Sequence, residues 1–343
     1  MAITLNFIEC NLEMNKQRRH RFVHHYWYRK TILSYLFLPF SIVFRAIISL
    51  RRFLYCKKIL KATQFEIPVI IVGNIAVGGT GKTPFVIWLA NLLKQHGYQP
   101  GIVSRGYGGK AKNYPIAVTA KSDPLLVGDE PVLIARNTQC PIIVAPDRVA
   151  AVNTLLQENN CNIVISDDGL QHYALGRTLE IAIIDGERRI GNGFCLPAGP
   201  LREPAKRLQE VDFIVCNGQP HFGEKGMKLI ASDFRQVSDP TVTQPAVYFK
   251  NKNVHAVAAI GNPSRFFNLV RVLGIDIIEH AFPDHHHFTA ADISFGVNAL
   301  VLMTEKDAVK CEAFAAGKQF WYLPVTAKVS DDLADAILAK LKS

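Results

Sequence analysis

A glycine-rich segment that ends in Lys82 and Thr83 has the composition and spacing of a phosphate-binding loop. It follows the apolar run Val69-Ile-Ile-Val and precedes an amphipathic stretch, so it should join a buried strand to a helix. Glycines let backbone N–H groups point at phosphate oxygens, the lysine reaches the β and γ phosphates, and the threonine hydroxyl binds Mg²⁺. We therefore predict a site for a nucleoside triphosphate with magnesium, formed by Ala76, Val77, Gly78, Gly79, Thr80, Gly81, Lys82 and Thr83.

The loop departs from the usual pattern at its first position, where Ala76 replaces a glycine. Gly78, Gly79 and Gly81 still allow the backbone to turn sharply, so the departure matters little for phosphate binding. The alternative interpretation is a structural turn followed by a coincidental Lys-Thr pair.

A second pair of candidate residues follows the apolar run Ile163-Val-Ile-Ser. Asp167 and Asp168 come directly after this predicted strand, where P-loop proteins place an acid that holds Mg²⁺ or its water. Adjacent carboxylates at this position can also cap the following helix. The nearby phosphate-binding loop favours a magnesium site made of Thr83, Asp167 and Asp168.

Other polar residues allow more than one interpretation. Asp129, in Val-Gly-Asp-Glu-Pro, is interpreted from the residues alone as the N-cap of a helix with Pro131 in its first turn. His285 starts a run of three histidines, which is a poor metal cage because consecutive side chains point in different directions. One histidine acting as acid, base or orienting group and an exposed polar loop are both compatible with this run. Arg105 and Arg202 lie in loops fixed by glycine or proline and either clamp a phosphate or are ordinary surface residues.

The elements that must position these residues are short Val- and Ile-rich runs that alternate with longer amphipathic stretches from residue 68 onward. This alternation predicts an α/β fold, a P-loop NTPase-like doubly wound α/β/α sandwich with ligands at the carboxyl ends of its strands. The predicted strands are 69–72, 101–104, 142–145, 162–166, 181–185 and 213–216, and the predicted helices are 83–96, 131–137 and 148–158.

Composition divides the chain into five predicted parts. They are a basic apolar segment at 1–61, a P-loop domain at 62–237, a linker at 238–253, a smaller α/β domain at 254–325 and a terminal helix at 326–343. Strands at 256–260, 275–280, 300–303 and 320–324 form the smaller domain, and the terminal helix is expected to close it. Segments 191–204 and 218–226 are rich in proline and glycine and are predicted to be long surface loops.

The net charge of +10 belongs to the N-terminal segment. Residues 1–61 contain twelve Lys or Arg and two acids, so the remaining chain is neutral overall and gives no reason to expect nucleic-acid binding. Residues 31–44 are uncharged and largely apolar, which is short of the roughly 20 residues needed to span a bilayer. We predict an amphipathic helix that lies in a membrane interface beside anionic lipid heads, with a buried core helix as the alternative. Residues before Met14 are either an upstream start or a tail.

Seven separated motifs, in this order, together resemble the tetraacyldisaccharide 4'-kinase family. They are VGNIAVGGTGKTP, SRGYGG, VGDEP, SDDGLQH, LPAGPLREP, FPDHHHF and TEKDAVK. The resemblance covers nearly the whole chain from about Tyr26, and Ala76 stands where that family also lacks the first glycine.

The resemblance implies transfer of the ATP γ-phosphoryl group, with Mg²⁺, to the 4'-hydroxyl of a tetraacyldisaccharide 1-phosphate, giving lipid IVA in lipid A biosynthesis. It implies an acylated disaccharide lipid as substrate and a location at the cytoplasmic face of the bacterial inner membrane, and no obligate protein partner is inferred. In the family, residues matching Asp129 and His285 form a dyad in which the carboxylate is the base and the imidazole orients it. Asp167 and Asp168 match acids that serve magnesium and the phosphates.

By the same resemblance, Arg202 lies near the γ-phosphate and acts with Lys82 and magnesium to neutralise its charge. Two other protein classes use similar loops, namely membrane-bound P-loop ATPase switches and ATP-dependent ligases. The switch proteins commonly have a lysine at the position of Val77, and its absence here counts against that class.

Overall fold

The computed structural model describes residues 26–296 and 298–342. The first part of the basic segment, through Arg21, and the region around Met14 lie outside these residues. The described helices are α1 Ile32–Leu36, α2 Leu38–Cys56, α3 Lys82–Gln95, α4 Pro124–Val127, α5 Asp129–Thr138, α6 Arg148–Glu158, α7 Pro263–Val272, α8 Glu305–Cys311 and α9 Asp331–Lys342. The strands are β1 Val69–Gly73, β2 Pro100–Ser104, β3 Ile116–Val118, β4 Ile142–Val144, β5 Ile163–Asp167, β6 Leu179–Asp185, β7 Phe213–Asn217, β8 Lys225–Ala231, β9 Phe234–Gln236, β10 Thr243–Gln244, β11 Val254–Ala258, β12 Ile277–Ala281, β13 Leu300–Thr304, β14 Phe320–Leu323 and β15 Val325–Val329.

The larger sheet has nine strands in the order β15-β8-β7-β6-β1-β5-β2-β4-β3. The strands from β8 to β4 run parallel, and the two edge strands β15 and β3 are antiparallel to their neighbours. The predicted doubly wound α/β fold is confirmed. Because the central strands are parallel, their carboxyl ends meet at one edge of the sheet, where ligands bind in such folds.

Helices cover both faces of this sheet, which explains the unbroken apolar sequence of β1. Ile70 and Val72 pack into one core with Phe85 of α3. Val69 and Ile71 point the other way, into a second core that includes residues of α6. A strand buried on both faces needs apolar residues at every position, whereas a strand with one solvated face alternates.

The smaller unit is built on a six-stranded sheet in the order β10-β9-β14-β13-β11-β12. Its core includes Phe234, Phe249 and Trp321, all buried. The structure differs here from the predicted linker at 238–253, because β10 lies within that range and Phe249 is part of the core. The Thr- and Pro-rich composition is typical of a linker, but a two-residue strand and a short 3₁₀ turn use the same residues.

After the smaller unit the chain returns to the larger sheet. β15 pairs with β8 over Val325↔Ala231 to Val329↔Met227. The terminal helix α9 buries Leu333 and Ile337 in the core of the larger sheet. This differs from the prediction that the helix closes the smaller unit, because an amphipathic pattern shows that one face is buried but does not identify the core.

The segment 191–204 is also not the surface loop that was predicted. Ala198 and Leu201 are fully buried, and Leu201 pairs with Ala76 at the start of the glycine-rich loop. The helix α2 lies against this segment, since the Ser41 hydroxyl donates to the Cys195 carbonyl at 2.8 Å. Within the described residues, none of the helices combines the length and apolar character needed to cross a bilayer.

Candidate active site

The glycine-rich loop is held at its beginning and open at its centre. The Asn74 side chain bonds both the N–H and the carbonyl of Ala76, at 3.1 and 2.9 Å, and Val77 N–H donates to the Pro200 carbonyl at 2.9 Å. Gly78 and Gly81 have φ values of 114° and 94°, a region that other residues rarely adopt. Gly81 then leads directly into α3, so the loop faces the N-terminus of a helix, which suits an anion.

The loop forms one wall of a cleft of about 1110 Å³. The cleft lies between the larger unit, which is built on the nine-stranded sheet, and the smaller unit, which is built on the six-stranded sheet. The larger unit contributes the loop residues, Lys82, Asp168 and Arg202, and the smaller unit contributes His285 and Lys306. Arg105 is exposed but also lines the cleft. A cleft of this size can hold a nucleotide together with part of a second substrate.

Asp168 is paired with two cations at the centre of the cleft. Its carboxylate lies 3.4 Å from Lys82 Nζ and accepts a 2.8 Å bond from Arg202 Nη1. Burial alone would raise the pKa of Asp168, but Lys82 and Arg202 more than offset this and hold it below its usual range. Arg202 reaches this position because its backbone N–H donates to the Ile75 carbonyl at 2.6 Å, beside the loop.

Asp167, one residue earlier at the end of β5, has the opposite environment. It is buried, one oxygen accepts a bond from the Ser104 hydroxyl at 3.1 Å, and its other oxygen Oδ1 has no hydrogen-bond partner among the described residues. Burial, together with Glu130 and Asp168, raises the pKa of Asp167 to about 7.

A buried carboxylate oxygen without a partner, next to a phosphate-binding loop, fits a magnesium ion. Mg²⁺ is usually held by one or two carboxylates and by substrate phosphates rather than by an all-protein cage. The described residues contain no group of three or more His, Cys, Asp or Glu arranged to hold a metal. Of the three residues predicted to hold the ion, Asp167 is the last residue of β5, Asp168 follows it, and Thr83 lies in the first turn of α3.

Asp129 and His285 come together across the two units. Asp129 Oδ1 lies 3.2 Å from His285 Nδ1, although the two residues are 156 positions apart. The prediction that Asp129 is the N-cap is wrong: Gly128 is the N-cap of α5, and Asp129 is the first helical residue with a buried side chain. His286 instead contacts Asp292, at 3.3 Å, so only the first histidine of the run joins Asp129.

Two lysines of α8 complete the surroundings of Asp129, and reasoning from individual residues gave them no role. Lys306 Nζ lies 2.9 Å from Glu130 Oε1 and 4.0 Å from Asp129 Oδ1, and Lys310 Nζ lies 3.7 Å from Asp129 Oδ2. Burial raises the pKa of Asp129, but Lys306, His285 and Lys310 together lower it well below its usual range. Both lysines belong to the motif TEKDAVK. The motif alone did not indicate their contacts with Asp129, which depend on the fold.

The smaller unit also touches the glycine-rich loop directly. Gly261, after β11, lies so close that a Cβ there would come within 2.3 Å of the Gly79 backbone nitrogen. Arg188 Nη1 donates to the Gly261 carbonyl at 2.8 Å. Arg265 bonds Asp185 at 2.9 Å, so contacts from both sides fix this junction.

A parallel sheet, a Gly-rich loop between its central strand and a helix, and a buried acid on the neighbouring strand define a P-loop NTPase-like nucleotide-binding protein. The family described as LpxK, tetraacyldisaccharide-1-P 4'-kinase, matches residues 33–342. The chain belongs to this family, which phosphorylates the lipid A precursor in lipid A biosynthesis, and it is a kinase. The resemblance drawn from the seven motifs is therefore confirmed, and the alternative of an ATPase switch is not favoured.

Two curated relatives are similar over most of their length. The tetraacyldisaccharide 4'-kinase of Nitrosococcus oceani is 49% identical over 317 residues, covering 92% of this chain and 93% of the relative. That of Methylobacillus flagellatus is 50% identical over 323 residues, covering 94% and 96%. Among solved structures, LpxK from Aquifex aeolicus in complex with ATP has a TM-score of 0.76 and 29% identity, covering 90% of this chain and 100% of that one.

Proposed function

We propose that the cleft transfers the γ-phosphoryl group of ATP to the 4'-hydroxyl of a tetraacyldisaccharide 1-phosphate, with Asp129 as the base. The observation that carries this proposal is the 3.2 Å contact between Asp129 and His285, because His285 lines the same cleft as Lys82. A carboxylate and an imidazole contributed by the two units suit removal of a proton from the hydroxyl of a second substrate, which a nucleotide-hydrolysing switch does not bind.

The residues around the glycine-rich loop bind the phosphates in this proposal. Backbone N–H groups of Gly78 to Gly81 and the Lys82 ammonium bind the β and γ phosphates. Arg202 neutralises charge that spreads over the transferred group, since phosphoryl transfer depends mainly on positioning and electrostatics. Thr83, Asp167 and Asp168 would hold magnesium, which would supply further charge neutralisation when bound.

Asp129 takes the proton of the attacking hydroxyl in this scheme. The lysines that lower its pKa leave it a weak base, and a weak base suffices because bond formation to the nucleophile lags behind bond breaking in a loose transition state. His285 donates from Nδ1 to Asp129 Oδ1 and thereby leaves the other carboxylate oxygen oriented for the hydroxyl.

The proposed location is the cytoplasmic face of the bacterial inner membrane. Exposed apolar side chains on α1 and α2 support peripheral attachment there, among them Ile32, Leu36, Phe40, Ile47 and Leu50. Moving four acyl chains into water costs about 0.8 kcal/mol per CH₂, so the kinase has to act at the membrane surface.

Incubation with γ-labelled ATP and the lipid disaccharide 1-phosphate tests the proposal. We expect label on the lipid, loss of labelling in Lys82→Ala and Asp129→Ala, and retained ATP binding in Asp129→Ala. Asp147→Ala is a matched control, because the Asp147 carboxylate caps α6 by accepting bonds from the N–H groups of Val149 and Ala150, at 2.9 and 3.3 Å. Phosphate release without labelled lipid would contradict the kinase activity, and near-full activity of Asp129→Ala would contradict the base assignment.

A further inference from the structure

Lys306 touches both residues of the dyad. Its Nζ lies 3.4 Å from His285 Nε2 and 4.0 Å from Asp129 Oδ1. It also donates to Glu130 Oε1 at 2.9 Å and lies 3.5 Å from Asp284. The lysine therefore bridges α5 of the larger unit to the His285 loop of the smaller unit, and only 14% of its side chain is exposed.

The contact with Lys306 restricts where the imidazole of His285 carries its proton. A lysine ammonium has three donors and no acceptor, so an Nε2 atom facing it has to present its lone pair. The single proton of the neutral ring then lies on Nδ1, which faces Asp129 Oδ1 at 3.2 Å. The lysine on one side and the carboxylate on the other select the same tautomer.

We propose that Lys306 is a positioning residue for the phosphotransfer reaction: it holds His285 in the Nδ1–H tautomer, directed at Asp129, and ties that ring to α5 through Glu130. This inference rests on the proposed roles of Asp129 and His285. Without Lys306, the neutral ring gains the alternative Nε2–H tautomer, in which Nδ1 presents a lone pair to a carboxylate and the bond to Asp129 is lost.

Lys306 also affects the pKa of His285, because it is one of several charged groups around the ring. Titratable groups from four parts of the chain face the ring. They are Asp284 and His287 of its own loop, Asp129 of α5, Lys306 and Lys310 of α8, and Tyr107 of the loop after β2. Burial lowers the pKa of His285, but the bond to Asp129 and the charges of Asp129 and Asp284 together outweigh it, so the pKa is raised overall although Lys306 opposes the rise. Removing Lys306 therefore raises the pKa of His285 further, and the imidazolium persists to higher pH.

Long-range ¹H–¹⁵N spectra of the ¹⁵N-labelled full chain at pH 8 report the tautomer directly, with His285 signals identified by their loss in His285→Gln. We expect a protonated Nδ1 and an unprotonated Nε2 in the wild type. In Lys306→Met, we expect mixed tautomers, and a titration of the His285 ring nitrogens whose midpoint moves up by about one pH unit. Lys306→Arg keeps a cation without acceptors at this position and should keep the wild-type tautomer.

Arg136→Met is the matched control that tests whether Lys306 only holds the two units together. Arg136 on α5 bonds Glu312, just after α8, with a 2.8 Å contact from Nη2, so it joins the same units away from the ring. This variant should leave the tautomer unchanged. An Nε2–H tautomer in the wild type, or identical spectra and pH profiles for Lys306→Met and Arg136→Met, would overturn the proposal. Because the spectra need no turnover, they remain interpretable even if the lipid-labelling experiment fails.

Discussion

Two adjacent aspartates at the end of β5 have opposite effects on stability. Asp168 is paired with Lys82 and Arg202, which lower its pKa, so it stabilises the fold above its unfolded pKa and loses that effect as pH falls through the lower, folded value. Burial raises the pKa of Asp167 to about 7. The native state then holds a proton that the unfolded chain has released, so Asp167 reduces stability as pH rises towards 7.

We therefore predict opposite outcomes for the two Asp→Asn variants in metal-free buffer at pH 8. Asp167→Asn should raise the free energy of unfolding, by no more than about 4 kcal/mol, because three pKa units correspond to that limit. Asp168→Asn should lower it, because Lys82 and Arg202 lose their counter-charge. Chemical denaturation at pH 8 and pH 5 measures both effects.

Repeating the denaturation at pH 5 is the internal control, since the gain in Asp167→Asn should shrink when the native carboxylate is already protonated. Added Mg²⁺ with a nucleotide should stabilise the wild type more than Asp167→Asn, because only the carboxylate offers a charged ligand. Equal stabilisation by Mg²⁺ in both proteins would contradict the assignment of Asp167 to the metal.

Residue patterns predicted those parts of the site that are local in sequence. The glycine-rich loop with Lys82, and the acids that follow β5, are recognisable because strand, turn and functional group are contiguous. Asp129 was interpreted as a cap because its partner lies 156 positions away on another unit. A local sequence pattern does not reveal a contact between residues so far apart in the chain. The contacts of Lys306 with His285 and Glu130 were missed for the same reason.

At the scale of elements, the loop between β11 and α7 sets how closely the two units approach. Gly261 lies against the backbone of Gly78 and Gly79, and its own φ is not in the left-handed region, so alanine is excluded there by space rather than by conformation. Backbone atoms cannot move aside as a flexible side chain can.

Gly261→Ala should therefore push the smaller unit away from the glycine-rich loop. His285 and Lys306 belong to that unit, so their separation from Asp129 should increase and the rate of phosphotransfer should fall about 100-fold, as expected for a displacement near 1 Å. Steady-state labelling of the lipid measures this effect. Gly226→Ala is a control, because a Cβ there would meet Pro220 at an ordinary 3.6 Å. Similar rates for both variants would show that close approach at Gly261 is not required.

The strands with strong apolar runs were predicted to within two residues, because β1, β5 and β7 are largely buried and surround the centre of the larger sheet. The strands that were missed, β3, β8, β9, β10 and β15, lie at or beside a sheet edge. β8 and β15 mix exposed and half-buried residues, and β10 has only two residues, so none of them has a clear apolar run. Their pairing depends on neighbours that the local sequence does not reveal.

At the scale of the molecule, α2 has one side turned inward and another exposed. Ser41 and Phe44 contact the larger unit. Phe40, Val43 and Ile47 are each about 60% exposed and lie on one stripe of the helix. Exposed apolar area of this kind is typical of a helix that lies in a membrane interface.

Changing Phe40, Val43 and Ile47 together to Asp should reduce binding to vesicles containing phosphatidylglycerol at least about tenfold, because the stripe becomes polar and anionic. Vesicle sedimentation measures the bound fraction. Val247→Asp with Val272→Asp is the control, since these residues of the smaller unit are also exposed, at 66% and 83%. Equal loss in both variants would mean that α2 has no special part in membrane binding.

The return of the chain to the larger sheet also fixes the order in which the two units can be completed during synthesis. The smaller unit has all its strands once Leu323 has been made, whereas the larger sheet still lacks β15 and α9. The last strand of the smaller unit is therefore synthesised before the nucleotide-binding sheet has its last edge strand. A nascent chain thus has no stage at which the ATP-binding unit is finished while the unit carrying His285 and Lys306 is missing.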